Sequence, residues 1–202
     1  MTVSWTPHRF TGGILALDTA NTVVLRNDPE KTFDRFDDPA EIARFAEAAS
    51  GFRAAELGGR RLQAPEPAEI KPTVISIREA TDRLFRHAVS NGALAISHLP
   101  DFLTACASGL SGSETEIGTH GQPFGDPRTP IAFEAALAVS ALSLLRDETV
   151  ARLRICPNCS WLFVDRSRNG SRLWCDMAVC GNRQKANRYY RRRTAAREVS
   201  NA

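Results

Sequence analysis

Apolar positions recur with helical spacing in three stretches of the chain and run together in two others. Near the start, a Gly12-Gly13 turn signal precedes the mostly apolar run Ile14 to Leu17, which reads as a strand leading into a short helix or turn near Asp18 to Asn21. Asp38, Pro39 and Glu41 make a helix start, with Asp at the N-cap, Pro in the first helical position and Glu at the third. Behind them Ile42, Phe45, Ala46 and Ala49 share one face, and the helix fades at Gly51. Gly58-Gly59 and the prolines from Pro65 to Pro72 mark a connector. Ser76 and Glu79 form a second capping box, ahead of an amphipathic helix with Ile77, Leu84, Phe85, Ala88 and Val89 that stops at Asn91-Gly92. A shorter helix is expected over Pro100 to Ala107 and a surface loop over Ser111 to Arg128. Thr129-Pro130 then caps a strongly apolar helix, Ile131 to about Leu145, expected to form the core of the first domain.

Beyond Asp147 the pattern changes, and composition shows why. The chain of 202 residues is 43% hydrophobic and 24% charged, with a net charge of +3 that hides a division. Residues 152–202 hold twelve Lys/Arg against three acids, net +9, whereas the preceding 151 residues hold fourteen against twenty, net −6. The boundary falls between residues 1–150 and 151–202, and a basic module on an acidic body points to a polyanionic partner for the module alone. A solvated basic face accounts for the charge equally well. The first residues lack the apolar run of a secretory signal, and no stretch is long enough for a membrane span. A cytoplasmic protein with reduced thiols is therefore expected.

Reduced thiols change the meaning of the cysteines. Four of the five lie within 25 residues: Cys156 and Cys159 as C-x2-C, then fifteen residues, then Cys175 and Cys180 as C-x4-C. Two close pairs at this distance are the spacing of a structural zinc site, because each pair supplies two corners of a sulfur tetrahedron. Disulfides are disfavoured in this compartment, and a redox C-x-x-C needs a βαβ context that is absent. The prediction is one structural Zn²⁺ on all four, with Cys106 an ordinary core residue. Between the pairs, Trp161 to Asp165 and Arg172 to Trp174 look like strands joined at the Asn169-Gly170 hairpin signal.

After Cys180 the sequence becomes helical, with Asp176 as its cap and Gly181 marking close packing or a kink. Ala186, Tyr189 or Tyr190 and Arg193 are assigned to the face against the hairpin. Arg183, Asn187 and Arg191, flanked by Arg188 and Arg192, form a cationic face. Arg166, Arg168, Arg172, Arg183, Lys185, Arg188, Arg191 and Arg192 are the candidate nucleic-acid contacts, and arginine suits bidentate phosphate or guanine binding.

The segment from Cys156 to Arg193, with Cys180-Gly181-Asn182-Arg183 at its centre, resembles the CGNR zinc finger, named for that tetrapeptide. Gly12-Gly13 and Leu17 to Thr22, with Arg26 and Asp34 behind them, resemble the ABATE domain that usually precedes this finger. The resemblance implies an α+β chain: an α/β ABATE-like domain with several helices, then a treble clef of knuckle, β-hairpin and C-terminal helix. It also implies a bacterial, stress-induced transcription regulator that binds DNA through the finger and an unidentified small molecule through the first domain. Asp18, Asn21 and Arg78 are the candidates for that ligand pocket, although Asp and Asn in such places also cap helices and shape turns.

Two further readings stay open beside the DNA regulator. An RNA- or protein-binding adaptor would use the same finger. An enzyme is not expected: all four histidines precede the finger, four cysteines close the zinc shell, and no nucleophile-elbow, Walker or dinucleotide pattern occurs. A single finger offers little contact area, which leaves room for a homodimer.

Overall fold

The computed structural model describes residues 2–113, 126, 128–187 and 189–190. Most of the expected loop at Ser111 to Arg128 lies outside these residues. Among the described residues the architecture is helical with three two-stranded sheets: β1 (Val23–Val24) pairs antiparallel with β2 (Phe33–Asp34), and β3 (Leu62–Gln63) pairs parallel with β4 (Ile131–Ala132). The third sheet is antiparallel β5 (Leu153–Ile155) and β6 (Leu162–Val164), in the register Leu153 to Val164 and Ile155 to Leu162. The fold is thus a mixture of helices and small sheets, an α+β arrangement.

Helix α5 (Phe133–Ser143) is the centre. Phe133, Ala135, Leu137, Ala138 and Ala141 are all buried, so the helix is apolar all round, as a helix enclosed by others must be. Around it pack α1 (Leu15–Ala20), α3 (Pro67–Asn91) and α4 (Leu99–Leu110). The α4–α5 approach needs Gly109, where a Cβ would stand 2.6 Å from Ile77 Cδ1 and 2.9 Å from the Glu134 carbonyl oxygen. Helix α2 (Ala40–Phe52) starts where the sequence predicts: Pro39 already has helical dihedrals, and Asp38 Oδ1 accepts from the Ala40 N–H at 2.9 Å. Its apolar face is Ile42, Phe45, Ala46 and Ala49, all buried. Glu41 does not close a capping box. It accepts instead from the Val3 N–H and the Trp5 Nε1–H, both at 2.9 Å, and anchors the N-terminal segment.

Three expectations are corrected. The run up to Leu17 is helix and not strand: α1 starts at Leu15 and continues through the expected short helix to Ala20, and all six residues are buried, so no polar face exists to reveal the helical period. The Ser76–Glu79 capping box is not a helix start, because α3 begins at Pro67 and runs through Pro72. Pro72 is exposed near the helix N-terminus, where the carbonyl it leaves without a donor can reach water. The predicted helix from Ile131 begins at Phe133, since Ile131 and Ala132 pair with β3. Among the described residues, no helix is long and apolar enough to cross a membrane.

The compositional boundary near residue 150 is not a boundary of packing. Leu153, Leu162 and Val164 belong to the same buried cluster as Leu17, Leu84 and Leu137. Trp161 and Phe163, on the opposite side of the strand by its two-residue period, belong to a second cluster with Cys156, Cys175 and Cys180. Strand β6 therefore joins the two cores.

Candidate metal centre

The first cysteine pair sits in the turn between β5 and β6. The Cys156 N–H donates to the Trp161 carbonyl at 2.9 Å and the Ser160 N–H to the Cys156 carbonyl at 2.8 Å, folding a tight knuckle that turns both sulfurs one way. Ser160 adopts a left-handed φ of 60° to complete it. Residues far back in the chain grip this turn: Arg86 Nη1, on α3, donates to the Ser160 carbonyl at 2.9 Å, and Asn27 Nδ2 to Ser160 Oγ at 3.0 Å.

The chain then returns through a loop, not the second strand that the Asn169-Gly170 signal predicts. Asp165 accepts the Ser167 N–H at 2.8 Å and the Arg172 N–H at 2.9 Å. The Ser167 hydroxyl first, and then these two amides, hold its carboxyl down to about 2. Amides drawn onto one carboxylate cannot also pair across a ladder, so residues 172–174 are not a strand, and β5 supplies the hairpin partner. Arg172 continues the loop inward. Its guanidinium donates to the carbonyls of Trp174 and Cys175 and lies 5.2 Å from the centre of the Phe163 ring.

The second pair frames a wide helical turn, Met177–Gly181. Asp176 caps it as expected, with Oδ1 accepting from the Ala178 N–H at 2.8 Å. A Cβ on Gly181 would meet Met177 Sδ, the far end of a flexible and exposed side chain that can move aside, and would stand 3.3 Å from Trp174 Cδ1. Residues 182–187 and 189–190 continue as helix.

This folding brings all four sulfurs, Cys156, Cys159, Cys175 and Cys180, within 4.8 Å of one another. Cys159 and Cys175 lie 3.5 Å apart, Cys175 and Cys180 3.6 Å. A zinc ion with four bonds of ~2.3 Å sets its sulfurs ~3.8 Å apart, so the cluster has the right size. Asn158 Nδ2 donates to Cys180 Sγ at 3.3 Å and is itself held by Gln184 Nε2 at 3.1 Å, an outer bond that orients a ligand. Without a cation the thiols oppose one another. Hydrogen bonds from Cys159 and Cys175 favour the Cys156 thiolate, and the same contacts push Cys159 and Cys175 up. A dication removes that conflict. Cys106 lies apart in the helical core, where burial pushes its thiol up to about 12.

The candidate nucleic-acid residues divide. Arg168, Arg183 and Lys185 are exposed. Arg166 is exposed but donates to the Gly13 carbonyl at 2.7 Å, and Arg172 is engaged within the loop. Arg188, Arg191 and Arg192 lie outside the described residues. Ala186 and one of the two tyrosines are expected on a packed face, but Ala186 is exposed, as are Tyr189 at 58% and Tyr190 at 65%, and Arg193 lies outside the described residues. The cluster around the cysteines is already filled by Trp161, Phe163 and Trp174.

The three ligand candidates hold the fold together. Asp18 accepts from the Gly12 N–H at 2.8 Å and Arg53 Nε at 2.5 Å, while burial pushes its carboxyl up to about 7 against the pull of Arg53. Asn21 donates to the Leu162 carbonyl at 2.9 Å and accepts the Leu162 N–H at 3.0 Å. Arg78 clasps both oxygens of Asp34 at 2.6 and 2.7 Å and donates to Glu79 and Thr22. None of the three lines the cavity bounded by Phe52, Val139 and Val164. Sequence reasoning also passed over His8. Its Nδ1 lies 2.8 Å from Asp176 Oδ2 and its ring stacks on Trp161 at 5.3 Å, so the first domain touches the cap of the turn that carries Cys180. A lone histidine in an N-terminal segment carries no pattern that points to this.

Residues 152–193 match the CGNR zinc finger family. A comparison with curated proteins finds no match. The matched segment and the four converging sulfurs agree on one chemistry: Cys156, Cys159, Cys175 and Cys180 bind a structural zinc ion.

Proposed function

We propose that this chain is a ligand-responsive, DNA-binding transcription regulator of the stress-response type. In this reading an ABATE-like first domain senses a small molecule, and a treble-clef finger, fixed by its zinc, docks on DNA. The observation that carries it is the exposed pair Arg183 and Lys185, on the helical segment that leaves the metal centre directly after Cys180. Arg168 is exposed in the preceding loop, and the sequence from 152 to 202 has a net charge of +9 that the zinc tetrathiolate reduces only to about +7. A helix whose first turn is pinned by a metal ligand presents these cations at fixed spacing, which favours phosphate and base-edge contacts. A cytoplasmic homodimer would double the small contact area of one finger. The role is non-enzymatic, since four thiolates leave zinc no open position for water.

Fluorescence anisotropy with a random-sequence duplex tests this. Affinity should fall linearly with salt on logarithmic axes, by about 0.9 in slope per phosphate neutralised. Arg183→Ala with Lys185→Ala should weaken binding and lower the slope by roughly 1–2. No binding at low salt sinks the proposal. Preference for single-stranded RNA over the duplex would favour the adaptor reading, which the same exposed cations support.

A further inference from the structure

Where the finger meets the helical domain, the packing leaves a cavity of about 720 Å³. Small-molecule sites run from roughly 300 to 1,000 Å³ and are mostly apolar with a few convergent polar groups. One side is built by the first domain, with Phe52 and Val139, and the other by the finger, with Val164 and the loop from Asp165 to Ser167. Phe52 is 42% exposed, a large ring left without full cover beside this space.

The charged groups on its walls fall into two sets. Those with a carboxylate beside them include Arg53, 2.5 Å from Asp18, and, on the exposed rim, Arg146, 3.9 Å from Glu148. Asp165 is occupied by backbone amides, and Glu56 accepts from Ser140 Oγ at 2.5 Å and the Leu15 N–H at 2.8 Å. Burial also pushes Glu56 up, toward its neutral form. Arg152 and Arg166 form the other set. Among the described residues neither makes an ion pair; Arg152 donates to the Ser167 carbonyl at 3.2 Å and Arg166 to the Gly13 carbonyl at 2.7 Å. Two guanidinium forks therefore stand beside a partly apolar space; Arg166 also acts on Glu56 through its charge, but the Glu56 oxygens are already taken by the Ser140 hydroxyl and the Leu15 amide.

We propose that this cavity binds a small amphipathic carboxylate, with the carboxylate on Arg152 and Arg166 and the apolar body against Phe52, Val139 and Val164. Guanidinium forks match a carboxylate in two parallel hydrogen bonds, and the walls exclude water from the remainder of the molecule. Such a ligand touches the helical domain and the finger at once, so its binding stiffens their seam. The site deepens the ligand-responsive half of the reading above. Because it is assayed without nucleic acid, its failure and failure of DNA binding are separate results.

Calorimetry on the full, zinc-loaded chain provides the test, with benzoate and octanoate as probes and benzyl alcohol and inorganic phosphate as controls. At least one carboxylate should bind saturably, and both controls should bind about tenfold more weakly or not at all. Ala55 is exposed and lines the cavity, so Ala55→Trp fills the space without disturbing the core and should weaken binding about tenfold or more. Arg152→Gln with Arg166→Gln should do the same, and Ala55→Trp keeps the test decisive if that pair does not fold. Absence of saturable heat from both carboxylates overturns the proposal. So does equal binding of phosphate or of benzyl alcohol, or affinity unchanged by Ala55→Trp.

Discussion

Asn21 is 2% exposed and gives both ends of its amide to one residue, accepting the N–H of Leu162 and donating to its carbonyl. The side chain takes the place of a neighbouring strand along β6. Arg35 Nη1 donates to the Asn21 carbonyl at 3.2 Å, and the same guanidinium lies 5.5 Å from the Trp161 ring centre. Asn21→Ala removes the side-chain partners and leaves a buried N–H and a buried carbonyl unsatisfied. At ~1–3 kcal/mol for each of the two stranded groups, the variant should lose roughly 2–6 kcal/mol of stability. Urea unfolding followed by tryptophan fluorescence reads this directly, and a loss below ~1 kcal/mol would return Asn21 to the pool of ligand residues. Only an amide does this work, because it carries a donor and an acceptor on one planar group.

At the scale of elements, the hairpin and the loop after it depend on different cores. Leu153, Leu162 and Val164 are fixed by the helical domain, and the Val164 N–H donates to the Gly12 carbonyl at 2.8 Å. The turn at Met177–Gly181 depends on the sulfur cluster and on Asp176, whose carbonyl accepts from Cys180 and Gly181. Zinc contributes ~10–16 kcal/mol to small modules of this kind. Stripping it with a strong chelator should therefore free the amides of Cys180 and Gly181 to exchange with solvent while that of Val164 stays protected. Uniform protection across both sets, in protein shown to be metal-free, would remove zinc from any structural role. The elements that could be read in advance carry local signals: Asp38-Pro39 at the start of α2, Gly92 after α3, and the two cysteine spacings. The others are decided by tertiary contacts. Helix α1 has no exposed face to show a period, Pro72 passes through α3 because that side is in water, and Asn169-Gly170 turns a loop whose amides Asp165 has already taken. Among the site residues the four metal ligands were legible because coordination fixes their spacing. Asn21, Arg86 and His8 were not, since each meets its partner across more than seventy positions of sequence.

Across the whole molecule, charge and packing divide the chain differently. Charge changes near residue 150, whereas the buried cluster of the helical domain runs on into β5 and β6. Helix α3 packs on β5 and α1 on β6, and polar contacts from His8, Asn21, Asn27 and Arg86 close the seam around the knuckle. A finger attached in this way does not swing freely on a hinge. Two independent domains would give two thermal transitions; a shared core gives one. Scanning calorimetry of the zinc-loaded chain should show a single endotherm whose calorimetric and van't Hoff enthalpies agree. Leu162→Ala empties a fully buried position in that shared core at a cost of ~2–5 kcal/mol, which should lower the one midpoint by roughly 5–15 °C. Two resolved endotherms, with only the one belonging to the finger moved by Leu162→Ala, would mean that the cluster seen across the seam contributes little to either side.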